Sequence, residues 1–332
     1  FFKWKKVRLS HFFFFFFFTP LVIFCTLSSA GGAVLKKTQR INDLIVDEAA
    51  AATEPEICIP FHLQPKRLLA VGDPLQLPAT VLSRRAADLG LTKSLHERLM
   101  YECGFDHIML NVQYRMSVQI SAFPSARFYD SKIGNGASVS TNEYLSGPIL
   151  LDKLPYTFLQ VEGTEEQSHG GSYCNHLEAK KITELASHLQ HHSSNSTNAW
   201  HSTERIRVIT FYQAQVALIK RCLNERGLGN KIVVATVDSS QGCEADIVLI
   251  SFVRSPSSRD TRPSAGFLTD NRRMNVALTR AKYQLICVGN VHSFRRMEGA
   301  ETLHMLAADA EERGVIRTPL LAENNVNSRL DM

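Results

Sequence analysis

No two of the seven cysteines in this 332-residue chain form a C-x-x-C pair, and their number is odd. That argues against a disulfide framework or a zinc ribbon and predicts reduced thiols in an intracellular protein, nuclear or cytoplasmic. Also missing is an apolar run of the roughly 20 residues that a bilayer-spanning helix needs. The nearest candidate, Phe12 to Phe18 followed by LVIFCTLSSAGGA, stands behind Lys3, Lys5, Lys6 and Arg8 and mimics a secretory leader. Residue 1 is Phe rather than an initiator Met, so residues 1–19 are read as spurious, with the hypothesis that they translate the pyrimidine tract of an intron. A spliced message encoding the poly-Phe run would sink that idea. A large excess of one charge sign is missing too: the net value of +5 permits an anionic partner without demanding one. His169, Cys174 and His176 lie close together, as do His188, His191, His192 and His201, but the spacing matches no zinc pattern and both groups read as polar loop.

What is present is globular. The chain is 44% hydrophobic and 21% charged, and its length predicts two domains of ordinary size. It is organised around DLIVDEAAAATEPE, Asp43 to Glu56. Leu44, Ile45 and Val46 read as a buried strand of a parallel sheet, from whose end Asp47 and Glu48 emerge. A second strand, Leu68 to Val71, runs into the loop GDPLQLP, Gly72 to Pro78. In open α/β sheets the carboxyl ends of strands are where ligands bind.

The rest alternates. LVIFCT reads as a strand and Ser28 to Gly32 as a turn. Thr53-Glu54-Pro55 starts a short helix, Ser94 to Tyr101 is a helix, and Ile108 to Leu110 is a strand. Residues 131–155 are a loop excursion. Then come a strand over Tyr156–Val161, a helix over Asn175–Gln190 with Ala179, Ile182, Leu185, Ala186 and Leu189 on one face, and a polar segment over Gln190–Thr203. Strands over Ile206–Phe211, Lys231–Val237, Ala245–Val253 and Tyr283–Val288 alternate with helices over Gln213–Glu225 and Asn271–Ala281, which predicts a parallel sheet wrapped by helices. A helix over Glu301–Arg313 precedes a polar tail.

Two adjacent acids at a strand end can hold Mg²⁺ and activate a water, the two tasks of nucleoside triphosphate hydrolysis, although an isolated Asp-Glu pair is more often a solvated strand terminus. Gln76 is placed to sense a γ-phosphate. Arg115 in QYRM and Arg280 in NVALTRAK suit the spreading charge of phosphoryl transfer; standing alone, the second would be one residue of an exposed basic helix. Ser239-Ser240-Gln241-Gly242 forms a tight turn, after which Glu244 could meet a ribose or simply water. Thr236 and Ser239 offer hydroxyls to a nucleic-acid backbone. Tyr114 could stack on a base or fill an interior.

In order, FCTLSSAG, VDEAAAATEPE, VGDPLQLPAT, QYRM with FPSARFYDSKI, ITFYQAQV, TVDSSQGCEADIVLISFVRS and FLTDNRRMNVALTRAKYQLICVGN resemble the motifs of superfamily 1 helicases, in the family of the nonsense-mediated-decay helicase and senataxin. The resemblance covers Leu21 to about Ser293. It implies an α/β fold of two RecA-like domains with ATP between them and single-stranded RNA or DNA across their top, RNA favoured. Residues 20–111 would be an incomplete first domain, 112–300 the second and 301–332 a C-terminal helix and tail. Carried over, Asp47 serves Mg²⁺ and Glu48 the attacking water, while Gln76, Arg115 and Arg280 contact the γ-phosphate. Tyr114 lies near the adenine, Gly242 and Glu244 near the nucleotide, and Ser28, Tyr212, Thr236 and Ser239 along the strand. The implied activity is ATP-driven 5′ to 3′ translocation by a monomer off the membrane, with protein partners met through domains outside this chain. Three departures stand out. No G-x-x-x-x-G-K-[ST] occurs, Ala51 replaces a usual glutamine, and Phe211 a usual proline. Lacking the backbone cradle at a helix N-terminus, the chain as written is expected to bind ATP weakly. The alternative function is therefore a non-catalytic nucleic-acid-binding or scaffolding relic.

Overall fold

A computed structural model describes residues 22–37, 40–141, 154–194, 205–256 and 263–318. The largest element is a six-stranded sheet built from β5 (Tyr156–Gln160), β8 (Ile206–Thr210), β9 (Val233–Thr236), β10 (Ala245–Ser251), β11 (Ala281–Gly289) and β12 (Ile316–Arg317). Its order is β12-β5-β11-β10-β8-β9 and every pairing is parallel. Strands this apolar are covered on both faces. Along β10, Val248 and Ile250 belong to one core and Ile247 and Leu249 to another, the period-two alternation of a sheet between two layers. One face packs α5 (Val118–Phe128), α8 (Asn271–Leu278) and α10 (Glu301–Glu312), with Phe158, Phe252 and Phe294 fully buried. Each such side chain contributes about 1.5–3 kcal/mol by leaving water. The other face packs α6 (His176–Ser194) and α7 (Gln213–Glu225) through Ala179, Ile182, Ala186, Ile219 and Leu223.

A second parallel sheet has two strands, β1 (Asp43–Val46) and β2 (Arg67–Ala70), paired Asp43 to Arg67 through Val46 to Ala70. Its core is small: Val46, Ala49, Ile57 and Leu95. A short α1 (Leu27–Ala30) and α2 (Glu54–Cys58) pack near it, followed by α3 (Arg84–Asp88) and α4 (Leu95–Tyr101). Local chemistry sets these ends. Thr53 and Glu56 close a capping box ahead of α2, with Pro55 in its first turn, and Ser94 caps α4 by accepting from the Glu97 amide. Two further pairs, β3 (Val112–Gln113) with β4 (Gly134–Asn135) and the antiparallel hairpin β6 (Glu166–Gln167) with β7 (Tyr173–Cys174), complete the strands, and α9 (Val291–Phe294) follows β11.

The alternation expected from Tyr156 onward is observed, and several expectations are corrected. LVIFCT is no strand: residues 22–26 have no regular structure and Leu27–Ala30 is helix, capped by the Thr26 hydroxyl. Ile108–Leu110 is likewise unpaired, the strand forming at Val112–Gln113. The β1 strand is less buried than expected; only Val46 is in a core, while Ile45 is 67% exposed. The helix expected over Asn271–Ala281 stops at Leu278 with Thr279 as its cap, and Ala281 already starts β11. The α6 helix runs on to Ser194, so the expected polar segment begins as helix; residues 195–204 and the polar tail beyond residue 318 lie outside the described residues, as do residues 1–21 and 142–153.

A buried polar network holds α6 to the sheet. Glu178 accepts from Ser251 Oγ at 2.6 Å and from the Val253 amide at 2.9 Å, while Asn175 Nδ2 donates to the Val253 carbonyl at 3.2 Å. Val253 has φ +70, costly for a β-branched residue, and both its backbone groups are fixed from α6. Burial pushes the Glu178 carboxyl up to about 8.

Candidate functional site

The carboxyl ends of β1 and β2 lie side by side and face α8 and the turn before β10. After Val46 the backbone turns sharply: Glu48 sits at φ 54, ψ 36, a left-handed conformation that costs an L-residue roughly 1–2 kcal/mol. Its amide donates to Asp47 Oδ1 at 3.0 Å. The loop after β2 passes tightly behind this turn. A Cβ at Gly72 would stand 2.7 Å from the Ala50 nitrogen, so only glycine fits.

Asp73 organises the facing loop. Oδ2 accepts from Gln76 Nε2 at 2.9 Å and from the Tyr129 hydroxyl at 2.6 Å. Asn275 on α8 donates to Tyr129 Oη at 2.7 Å and to the Leu75 carbonyl at 2.9 Å. Gln76 is thereby oriented with its Oε1 3.4 Å from Arg280 Nη2. Gln241 in the turn before β10 reaches the Leu77 carbonyl at 3.5 Å.

Arg280 is only 2% exposed, and its other partners are the Val276 and Cys243 carbonyls and the Thr279 hydroxyl. None of these is a carboxylate. Burial, then the neighbouring Arg115 charge, pull its guanidinium down to about 10, the signature of a cation desolvated without a hydrogen-bonded anion. Glu48 carries the opposite stress: desolvation, then the Asp47 charge, raise its carboxyl, against the pull of Arg280. Acids and arginines thus lie within electrostatic reach of each other, an arrangement suited to an anionic ligand with a divalent cation.

The structure brings Asp47, Glu48, Gln76, Arg115, Glu244 and Arg280 to one place, from segments far apart in the chain, but pairs them in ways the spacing does not show. Arg115 Nε donates to Glu244 Oε2 at 3.0 Å, and Lys282 Nζ lies 2.7 Å from Glu244 Oε1. Those two cations hold the Glu244 carboxyl below its usual range against the effect of burial. Gly242 takes φ +70 in the turn ahead of it. Tyr114 is 57% exposed, its ring against Gly136, where a Cβ would stand 2.3 Å from the ring carbons.

The expected nucleic-acid residues divide. Ser28 is exposed on α1, and Thr236 and Ser239 face each other, Oγ1 to Oγ at 3.2 Å, with Ser239 exposed. Tyr212 is 4% exposed, packed against Tyr173 and Phe267, with Arg254 Nη1 donating to its hydroxyl at 3.4 Å. It shapes a wall rather than offering a surface. The Arg273 guanidinium pairs with Asp238 and Asp270 and lies 4.8 Å over the Phe267 ring.

Residue-by-residue reading missed Asp73, Tyr129, Asn275 and Lys282. All four lie inside strings already singled out, GDPLQLP, FPSARFYDSKI and NRRMNVALTRAK, but no spacing signals that a tyrosine hydroxyl bridges two of them.

Comparison with known proteins follows the same lines. A family model described as an AAA domain matches residues 91–292, and a second with the same description matches residues 16–84. The chain is 37% identical over 258 residues to a Drosophila melanogaster regulator of nonsense transcripts 1 homolog, across 76% of this chain and 21% of that protein. It is 37% identical over 265 residues to the Saccharomyces cerevisiae ATP-dependent helicase NAM7, across 77% and 26% of the two. To the Schizosaccharomyces pombe helicase sen1 it is 33% identical over 289 residues, across 86% and 16%. The chain thus spans about a fifth of these relatives' lengths. The resemblance read from the motifs is borne out.

Proposed function

We infer, from the premise that this chain belongs to the AAA-domain family, that it is the part of an ATP-dependent helicase or translocase that carries the hydrolytic acids and the γ-phosphate sensors. The observation that carries this reading is Arg280, a buried guanidinium that has no hydrogen-bonded carboxylate among the described residues, shares a hydrogen bond with Gln76 and lies within electrostatic reach of Glu48. A triphosphate supplies the anion such a cation lacks.

Asp47 would hold Mg²⁺, which neutralises charge on the phosphates. Glu48, whose carboxyl is raised by burial and then by the Asp47 charge, would orient and deprotonate the attacking water from its left-handed turn after β1. Arg115 and Arg280 would receive the developing phosphoryl charge. Because Arg115 is already paired with Glu244, nucleotide binding would have to share or break that ion pair, which couples the ribose side of the site to the phosphate side. Tyr114, the exposed ring at the edge, would lie near the adenine. We place single-stranded nucleic acid, with RNA favoured by relatives named for nonsense transcripts, along Ser28, Thr236 and Ser239. Residues 20–111 and 112–300 would be the two moving bodies.

The test is nucleic-acid-stimulated ATP hydrolysis by the protein encoded with its in-frame upstream sequence. Glu48→Gln is expected to cut the stimulated rate by about 10²-fold or more, with single-strand binding retained. An unchanged rate would remove Glu48 from its assigned role. If no ATP is hydrolysed while single strands still bind in a salt-sensitive way, the non-catalytic reading takes its place.

A further inference from the structure

The β6–β7 hairpin gathers three metal-binding side chains that the nucleotide site does not use. Glu166 and Cys174 are direct cross-strand partners, so their side chains leave the hairpin on the same face. His176, two residues beyond Cys174, is the first residue of α6. The turn is closed by hydrogen bonds between Ser168 and Ser172 and from Gly171 to Ser168, with Gly171 at φ +77. The α6 start is fixed as well, since Asn175 accepts from the Glu178 amide and its own amide donates to Gln215. Backbone geometry therefore sets all three positions.

We propose that Glu166, Cys174 and His176 form a site for a borderline-soft divalent cation, Zn²⁺ foremost. One carboxylate oxygen, the thiol sulfur and one imidazole nitrogen all lie within 4.8 Å of one another. Glu166 Oε2 and His176 Nε2 are 3.4 Å apart, and atoms bonded at about 2.0–2.2 Å to a tetrahedral ion stand roughly that far from each other. Thiolate and imidazole exclude Mg²⁺ and Ca²⁺ as the preferred ions. Three protein ligands leave a fourth position to water, and all three side chains are at least partly open to solvent, so the ion would exchange rather than be locked in. His169, near Cys174 and His176 in sequence, is not one of the three; Glu166, the counterpart of Cys174 across the hairpin, is, which spacing along the chain cannot reveal.

The ion would staple the hairpin to α6. That hairpin carries Tyr173, whose ring meets Tyr212 at 5.6 Å and lies under the Arg254 guanidinium at 4.3 Å, one wall of a cleft also lined by Phe267. Metal occupancy would thus stiffen that wall.

The experiment adds Zn²⁺ or Co²⁺ alone to the full 332-residue chain freed of metal by chelation. Cysteine alkylation mapped by mass spectrometry is expected to show Zn²⁺ slowing Cys174 at least tenfold while exposed Cys58 and Cys103 react unchanged. Co²⁺ is expected to give a sulfur-to-metal charge-transfer band at one equivalent, reversed by Zn²⁺ and lost in Cys174→Ser, a variant that keeps the Glu166–His176 ion pair. Equal alkylation of Cys174 with and without Zn²⁺, or a band that survives Cys174→Ser, overturns the proposal; the alkylation arm needs no variant and is independent of that variant's folding.

Discussion

Glu178 illustrates how much a single side chain can commit. Its carboxyl is fully buried, satisfied by Ser251 and Val253, and pushed up to about 8 from an ordinary 4.5. A folded-state value above the unfolded one means the native chain holds a proton that the unfolded chain releases. Its contribution is complete below about pH 4.5 and is lost as pH rises through about 8, with a slope of up to ~1.4 kcal/mol per pH unit between. Urea unfolding at several pH values should show this decline, and Glu178→Gln should flatten it; an unaltered slope would assign the pH dependence elsewhere. The catalytic candidates are a different kind of residue. Asp47 and Glu48 were legible because two acids directly follow an apolar run. The Arg115–Glu244 pair was not, because its members are 129 positions apart and nothing in either string points to the other.

Secondary elements were read best where the helical apolar period is regular or a capping hydroxyl marks the start. The α7 helix spans Gln213–Glu225 as expected, and α4 begins after Ser94, whose hydroxyl does the capping. Apolar runs without a partner misled: LVIFCT and Ile108–Leu110 have strand composition, but a strand needs a neighbour, and composition does not show whether one is there. The end of α8 was missed for a related reason. Thr279 caps the helix by satisfying local carbonyls, and the apolar period continues past it into β11, so helix and strand merge in the sequence pattern. Gly72 belongs at this scale, because it sets how closely the β2 loop approaches the turn after β1. Gly72→Ala is expected to destabilise by ~1–3 kcal/mol, since the added Cβ meets backbone that cannot rotate away. The urea midpoint should fall with an unchanged m-value; an unmoved midpoint would mean that the loop yields freely.

Across the whole molecule, stability is unevenly spread. The six-stranded sheet is buried on both faces, whereas β1 and β2 share a four-residue core. Amides of β10 and β11 should therefore be the slowest to exchange with deuterium, and those of β1 and β2 should exchange by local opening at least ~10²-fold faster. The two regions are tied by Arg272 with Glu97 at 2.8 Å and by Asn275 with the Leu75 carbonyl. Asn275→Ala should speed exchange around residues 67–77 and leave β10 unaffected; parallel changes in both would show that they unfold as one unit. This organisation was legible as βα alternation from Tyr156 onward, while the hydrogen bonds that join the small sheet to the large one were not, being made between residues 175 and 200 positions apart. The openness of the small sheet has a further, colloidal consequence. Ile45 and Leu69 present apolar surface to water, at 67% and 56% exposure, beside Leu68 and Val71, and surfaces of that kind attract one another when chains are concentrated. That patch favours self-association of this polypeptide, a tendency that grows with salting-out ions and eases at low concentration.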